Sequence, residues 1–412
     1  MAEEFLSTAD LVDAVADASF DRPPALVSNA HITGVSVARA LDAHGVPVIA
    51  LDRNGDGAAP PSDAIDFAGE VTYPLDDLDG FREDVEAVVD AAGTEAVAFG
   101  CMDEWAHAYA QAEPEGVRLP FADFDVIDNV LDKSELYARA EKLDVPYPET
   151  YRLSEVDRDE AIEALGFPLV IKPALKRKFE EAFGTNVIEV ADREEFDDVV
   201  DAAEAEDIEV MAQQRVDIAV GKDRSLASYV PPEGTDDALA VVGNAKVRYP
   251  QAFGTSCLVD RVDDPEIEDR ALNVLDDAGY HGISEAEFVY DDEREEYLLL
   301  DVNTRPWKWI SMPVAAGANL PMAAYADVTD ATYESPGISD ARWVYLRDYL
   351  SLLATAETFW DLLSTADWAS LLSGDFEGDG ALTTGVYRPS DPDPAAKLIE
   401  TEFTDREYYC SC

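Results

Sequence analysis

Two apolar runs near residue 300 carry the densest chemistry of the chain. Gly282-Ile283-Ser284-Glu285-Ala286-Glu287-Phe288-Val289-Tyr290 leads into an acidic turn, and Tyr297-Leu298-Leu299-Leu300-Asp301-Val302-Asn303-Thr304-Arg305 follows it. In a strand, alternate side chains point the same way. Glu285 and Glu287 therefore share one face, and Asp301, Asn303 and Arg305 share another. A hairpin would set these faces side by side, with hard oxygen donors next to a guanidinium. Hard oxygens suit Mg²⁺, which takes the rest of its shell from water and phosphates. An arginine suits phosphate or carboxylate. The chemistry expected is phosphoryl transfer.

Further candidates lie upstream. Lys172 closes the apolar strand Leu169-Val170-Ile171-Lys172-Pro173, where a lysine needs an anionic partner. Lys176, Arg177 and Lys178 follow before Gly184 and read either as a loop closing over phosphates or as a solvated turn. Val210-Met211-Ala212-Gln213-Gln214 is a strand that turns polar at its end, followed by Arg215, Val216 and Asp223. Such a stretch could meet a base edge and a ribose hydroxyl. Lys246 and Arg248 alternate on a strand over 241–249, where they serve as anion contacts or as exposed strand charges.

These residues need elements to hold them. From Ala25, short apolar strands alternate with helical periodicity, which predicts a parallel, doubly wound sheet. Its strand ends carry two polar loops. One holds His31, a candidate substrate contact. The other holds Asp103 and Glu104, which would receive an amine or serve as acids at a helix N-terminus. Neither loop has the glycines of a dinucleotide fingerprint. Asp132-Lys133-Ser134 opens a helix to about Lys142, and Val145-Pro146-Tyr147-Pro148 marks a boundary. An α+β unit follows, then a strand-rich stretch. After Pro321, helices near 345–354 and 358–369 are expected.

The chain has 412 residues and a net charge of −58, from 88 acidic and 30 basic residues. The acids are spread throughout, which points to solubility in high salt and a halophilic cytoplasm rather than to one cationic partner. Nucleic-acid phosphates would be repelled. No run of about 18 apolar residues suggests a membrane span. Met1–Phe20 lacks the basic start and apolar core of a secretory signal. The four cysteines, Cys101, Cys257, Cys410 and Cys412, fit neither a disulfide framework nor a zinc spacing.

The order Lys133, Lys172, Gln213-Gln214, Glu287 and Asp301-x-Asn303-x-Arg305 resembles the ATP-grasp superfamily over about residues 25–325. The resemblance is to its carboxylate–amine ligases, D-aspartate ligase-like and carbamoyl-phosphate-synthase-large-chain-like members among them. It implies a doubly wound α/β domain (21–150) after a short extension (1–20), and an ATP-clamping lid (151–220). A mixed-sheet metal-binding subdomain (221–330) and a helical, loop-rich extension (331–412) would follow. The implied fold class is α/β and α+β.

By the same resemblance, Lys133, Lys172 and Lys178 would hold ATP phosphates. Gln213, Gln214 and Val216 would meet adenine, and Asp223 the ribose. Glu287, Asp301 and Asn303 would ligate Mg²⁺, while Arg305, with Lys246 and Arg248, would serve the transferring group. The implied partners are a small-molecule carboxylate and an amine, joined through an acyl phosphate; a homodimer stays open. The alternatives are a phosphotransferase on this scaffold or a nucleotide-binding regulatory protein. Departures are Gln214 and Asp301 where the family commonly has glutamate, and Arg215 where it has an aromatic residue.

Overall fold

A computed structural model of the chain describes residues 5–173, 179, 182–185, 187–251, 254–355, 357–374, 376 and 381–402. Three sheets follow one another along the sequence.

The first is parallel: β1 (Ala25–Ser28), β2 (Val48–Asp52), β3 (Phe67–Glu70), β4 (Ala96–Gly100) and β5 (Val117–Arg118), in the order β3-β2-β1-β4-β5. Its central strands are buried along their whole length, as the unbroken apolar runs require. The order reverses between β1 and β4. The loops leaving these two strands therefore flank a crevice of the kind where open sheets bind ligands. Residues of the expected N-terminal extension form a helix, Thr8–Ala16, capped by Ser7 and packed beside β3.

The second sheet is small and antiparallel: β6 (Thr150–Arg152), β7 (Leu169–Pro173), β8 (Ile188–Val190) and β9 (Val210–Gln214), in the order β6-β9-β7-β8. Leu169, Ile171, Val210 and Ala212 form one core with residues of helices Arg158–Leu165 and Arg193–Ala205. Strand alternation sends Lys172 and Gln213 to the opposite face.

The third sheet holds β10 (Arg224–Val230), β11 (Leu239–Tyr249), β12 (Thr255–Val262), β13 (Gly282–Asp291), β14 (Glu296–Asn303), β15 (Ala341–Val344) and β16 (Ala381–Thr384). The order is β14-β13-β10-β11-β12-β15-β16, antiparallel except for β15–β16. The segment after 330 thus adds two strands to this sheet as well as helices. The helix expected over 358–369 instead begins at Thr365, because Ser364 and Asp367 form a reciprocal capping box there.

One hydrophobic core runs from Val27 and Val35 of the first unit, through Trp307 and Trp309, to Tyr229 and Trp343 of the third sheet. Arg39 pins the C-terminal segment to the first unit: its Nε donates to Asp391 Oδ2 at 2.9 Å, and Ser62 Oγ donates to the same oxygen at 2.6 Å. Among the described residues no helix is long and apolar enough to cross a membrane.

Candidate nucleotide and metal site

The hairpin β13–β14 brings the two faces together, as expected. Glu285 lies opposite Asn303, and Glu287 opposite Asp301. A bulge next to Glu287 leaves Leu300 as the extra residue of β14. Its carbonyl accepts from Tyr137 Oη at 3.0 Å, which braces the strand beside Asp301.

Each carboxylate of this wall has a specific partner. Lys133, the first residue of helix Lys133–Lys142, donates to Asp301 Oδ1. Its own helix start is fixed by Asp132, which accepts from the backbone N–H of Ser134 at 2.8 Å. Arg248, on β11, donates through Nη2 to Glu287 Oε1 at 2.5 Å and through Nε to Asp223 Oδ2 at 2.6 Å. Burial opposes the charge of Arg248, but Glu287 and Asp223 outweigh it and hold the guanidinium above its ordinary pKa. Burial raises the pKa of Asp223 even beside that arginine.

Glu285 accepts from Trp309 Nε1 at 2.9 Å and from Asn303 Nδ2 at 3.0 Å. Burial, reinforced by the charge of Glu287, pushes its pKa up to about 7. Trp309 can lie there because β11 carries Gly243: a Cβ at that position would stand 2.8 Å from the indole ring.

Just past β14, Arg305 reaches the first unit. Its Nε donates to Asp103 Oδ1 at 2.7 Å, and its Nη1 to the carbonyl of Pro306 at 3.0 Å. Burial works against its charge, and Asp103 then holds its pKa above the ordinary value. The second rim loop is thereby joined to the end of β14. The neighbouring Glu104 accepts from Tyr73 Oη at 3.3 Å.

The small sheet meets the wall through Gln213. Its Nε2 donates to Tyr137 Oη at 3.0 Å and to Thr150 Oγ1 at 2.8 Å. Gln213 is thus one hydrogen bond from the residue that braces Leu300. Lys172 shares its face of the sheet.

The structure therefore brings together Lys133, Gln213, Asp223, Arg248, Glu287, Asp301, Asn303, Arg305 and Asp103. Lys172, on the face of Gln213, and Glu104, next to Asp103, adjoin that constellation, and the remaining expected residues have other surroundings. His31 lies with Nε2 3.6 Å from Asp52 Oδ2 in the first rim loop. Gln214 accepts from Arg294 Nη2 at 2.6 Å, and Val216 is half-buried in the loop after β9. Lys246 falls at a register shift between β11 and β12. Lys178, with the basic stretch around it, lies outside the described residues.

Sequence reading missed the roles of Tyr137 and Trp309, whose polar atoms hold the site. It also missed Lys308, buried between Asp348 Oδ2 at 2.6 Å and Thr255 Oγ1 at 2.9 Å. Only Lys308 left a signal, as a rare lysine in an aromatic run.

The donor set fits Mg²⁺. Glu287 and Asp301 supply carboxylate oxygens side by side. Asn303 commits its amide nitrogen to Glu285, so the atom it would offer a cation is the carbonyl oxygen. Among the described residues no group of three or more His, Cys, Asp or Glu side chains could hold a metal ion. Phosphate oxygens would have to complete the shell.

No family model matches the chain, and no curated protein matches it in sequence. Solved structures do. The ADP complex of an N5-carboxyaminoimidazole ribonucleotide synthetase aligns with a TM-score of 0.63 at 13% identity, covering 93% of this chain and 97% of the other. The biotin carboxylase domain of Hydrogenobacter thermophilus 2-oxoglutarate carboxylase, with MgADP and bicarbonate, gives 0.59 at 14%, over 77% and 73%. An L-amino acid ligase from Bacillus licheniformis gives 0.54 at 15%, over 75% of both chains. The protein has the ATP-grasp fold.

Proposed function

We propose that the protein is an ATP-dependent carboxylate–amine ligase that uses Mg²⁺ and passes through an acyl phosphate. The observation that carries this reading is the register pairing of Glu287 with Asp301, flanked by Lys133 and by the Arg305–Asp103 bridge. Neighbours of the same fold bind ADP, and one of them binds MgADP.

Bound MgATP would supply the transferable phosphoryl group and neutralise its oxygens. The chain's own residues position and offset charge. Lys172 and Lys133 offer ammonium groups to phosphates, with Gln213 holding the small sheet against the metal strand. Arg305, kept charged by Asp103, faces the group that receives the phosphoryl. The substrate carboxylate would attack the γ-phosphorus as its bond to ADP breaks, giving an acyl phosphate and ADP, and the amine would then displace phosphate from the acyl carbon, losing a proton as the amide forms. Glu104 at the rim, beside the Arg305–Asp103 bridge, would supply the carboxylate that an ammonium-bearing substrate meets, with His31 as a further polar contact. No covalent nucleophile of the protein is required.

The acid-rich surface supports activity in molar salt and a halophilic cytoplasm. The test is a screen of carboxylate and amine pairs for ADP release in molar KCl with Mg²⁺. ADP release that depends on both substrates supports the ligase. Release with the carboxylate alone and a stable phosphorylated product would replace it with a phosphotransferase.

A further inference from the structure

The wall is closed by the protein's own cations. Lys133 takes Asp301 from one side, and Arg248 takes Glu287 from the other. These carboxylates face each other across the hairpin, where a divalent ion would bind. Two positive groups therefore stand where a metal would bring two more charges. The geometry points to Arg248 and Lys133 as exchangeable latches, which release Glu287 and Asp301 to a divalent cation only as nucleotide phosphates take the latches over.

Three observations support exchange rather than a fixed structural bridge. Lys133 and Arg248 are both cations that phosphate oxygens attract at least as well as carboxylates do. Arg248 also has somewhere to stay: Asp223 Oδ2 holds its Nε at 2.6 Å, and the Gly254 carbonyl accepts from Nη1 at 3.3 Å. Asp223 is 4% exposed, and its Oδ1 makes no hydrogen bond, so this buried carboxylate has an acceptor to spare as Arg248 turns away from Glu287. Finally, the two latches sit on Asp301 Oδ1 and Glu287 Oε1, on the two carboxylates that stand opposite each other in the hairpin. Arg248 then meets the nucleotide phosphates once it leaves Glu287, while Asp223 is a positioning residue that acts through Arg248 rather than touching the ribose.

This rests on the nucleotide-site reading above, and the test separates the two. Mn²⁺ binding to the full chain is followed by electron paramagnetic resonance in molar KCl, with and without ADP, corrected for Mn²⁺ held by free ADP. A Glu287→Gln/Asp301→Asn double variant sets the background from the acidic surface. In the wild type, ADP should tighten Mn²⁺ binding by on the order of 100-fold. Arg248→Gln should raise nucleotide-free Mn²⁺ affinity about tenfold and shrink the ADP effect by the same factor, as linkage requires.

Lys133→Met carries the same expectation from the opposite side, should Arg248→Gln fail to fold. Arg224→Gln removes a nearby cation that bridges Asp264 rather than the wall, and should change neither quantity. Unaltered nucleotide-free affinity in both latch variants, or an equal gain in Arg224→Gln, overturns the latch. A wild type that does not bind ADP overturns the nucleotide site itself.

Discussion

The carboxylate wall of β13–β14 and the outside of the small sheet are built from the same materials, arginine or lysine against carboxylate, yet they differ in kind. On the small sheet Arg215 meets Glu189 at 3.1 Å with both side chains about two-fifths exposed, and Arg158 forks to Asp201 and Glu204 on a helix surface. Such pairs are screened by salt and contribute little. On the wall, Arg248–Glu287 and Arg305–Asp103 join different elements in partly buried settings. Removing one partner there strands a charge. In a chain this acidic, composition cannot distinguish the two classes; strand register and burial can.

The comparison breaks most visibly at the wall itself. Glu287→Gln or Asp301→Asn should cut Mg²⁺-dependent ADP formation by on the order of 10³-fold, the several kcal/mol that metal assistance supplies. Circular dichroism should stay native. Full activity in both variants would remove the wall from the chemistry. Next comes Lys308→Met, which leaves Asp348 buried beside Arg347 without its lysine. Denaturant titration should show a loss of about 3–5 kcal/mol. Lys172→Ala should weaken ATP binding by about tenfold to a hundredfold, as for a lost charged contact, and unchanged affinity by calorimetry would contradict its role.

Much of the wall could be read from residue spacing, because a period of two survives folding unchanged. The pairing of Glu285 with Asn303 and Glu287 with Asp301 needs more than a hairpin centred on the acidic turn: without the bulge at Leu300, Glu287 would lie opposite Leu300 and Asp301 would turn to the other face. The alternating units from Ala25 were equally readable, since buried parallel strands need unbroken apolar runs. Contacts between distant segments were not. Nothing local to Asp103 points to Arg305, 202 residues away, nor Gln213 to Tyr137. Nor does anything local to Trp309 point to Glu285; only the fold brings its Nε1 to that carboxylate. The strands after 330 were missed because Ala341–Val344 and Ala381–Thr384 are four residues each and pair with each other across a long excursion.

Buried acids sharpen the contrast through pH. Asp52 has its two oxygens on the backbone N–H groups of Ala30 and Arg53, each at 2.7 Å, and burial pushes its pKa up to about 7. Glu285 shifts the same way. With the folded pKa above the unfolded value near 4, the native state holds the extra proton between about pH 4 and 7. The stability these two groups contribute is therefore full below pH 4 and falls as pH rises towards 7, by at most ~1.4 kcal/mol per pH unit for each group. Urea titrations at pH 5, 6, 7 and 8 should show this decline, and Asp52→Asn should flatten it. An unchanged slope in that variant would mean that Asp52 is ionised in the fold.

The smallest effect is expected at the exposed pair. Arg215→Ala removes a salt bridge whose partners both keep water, so stability should change by no more than about 0.5 kcal/mol. Even that should vanish in molar KCl, where the screening length is only about 3 Å. Arg215 also follows the strand end at Gln213 and Gln214, so nucleotide affinity is the sharper readout. If Arg215 belongs to the surface class, ADP affinity stays within twofold of wild type. A tenfold loss would move it into the site and extend the functional charges from the third sheet onto the second.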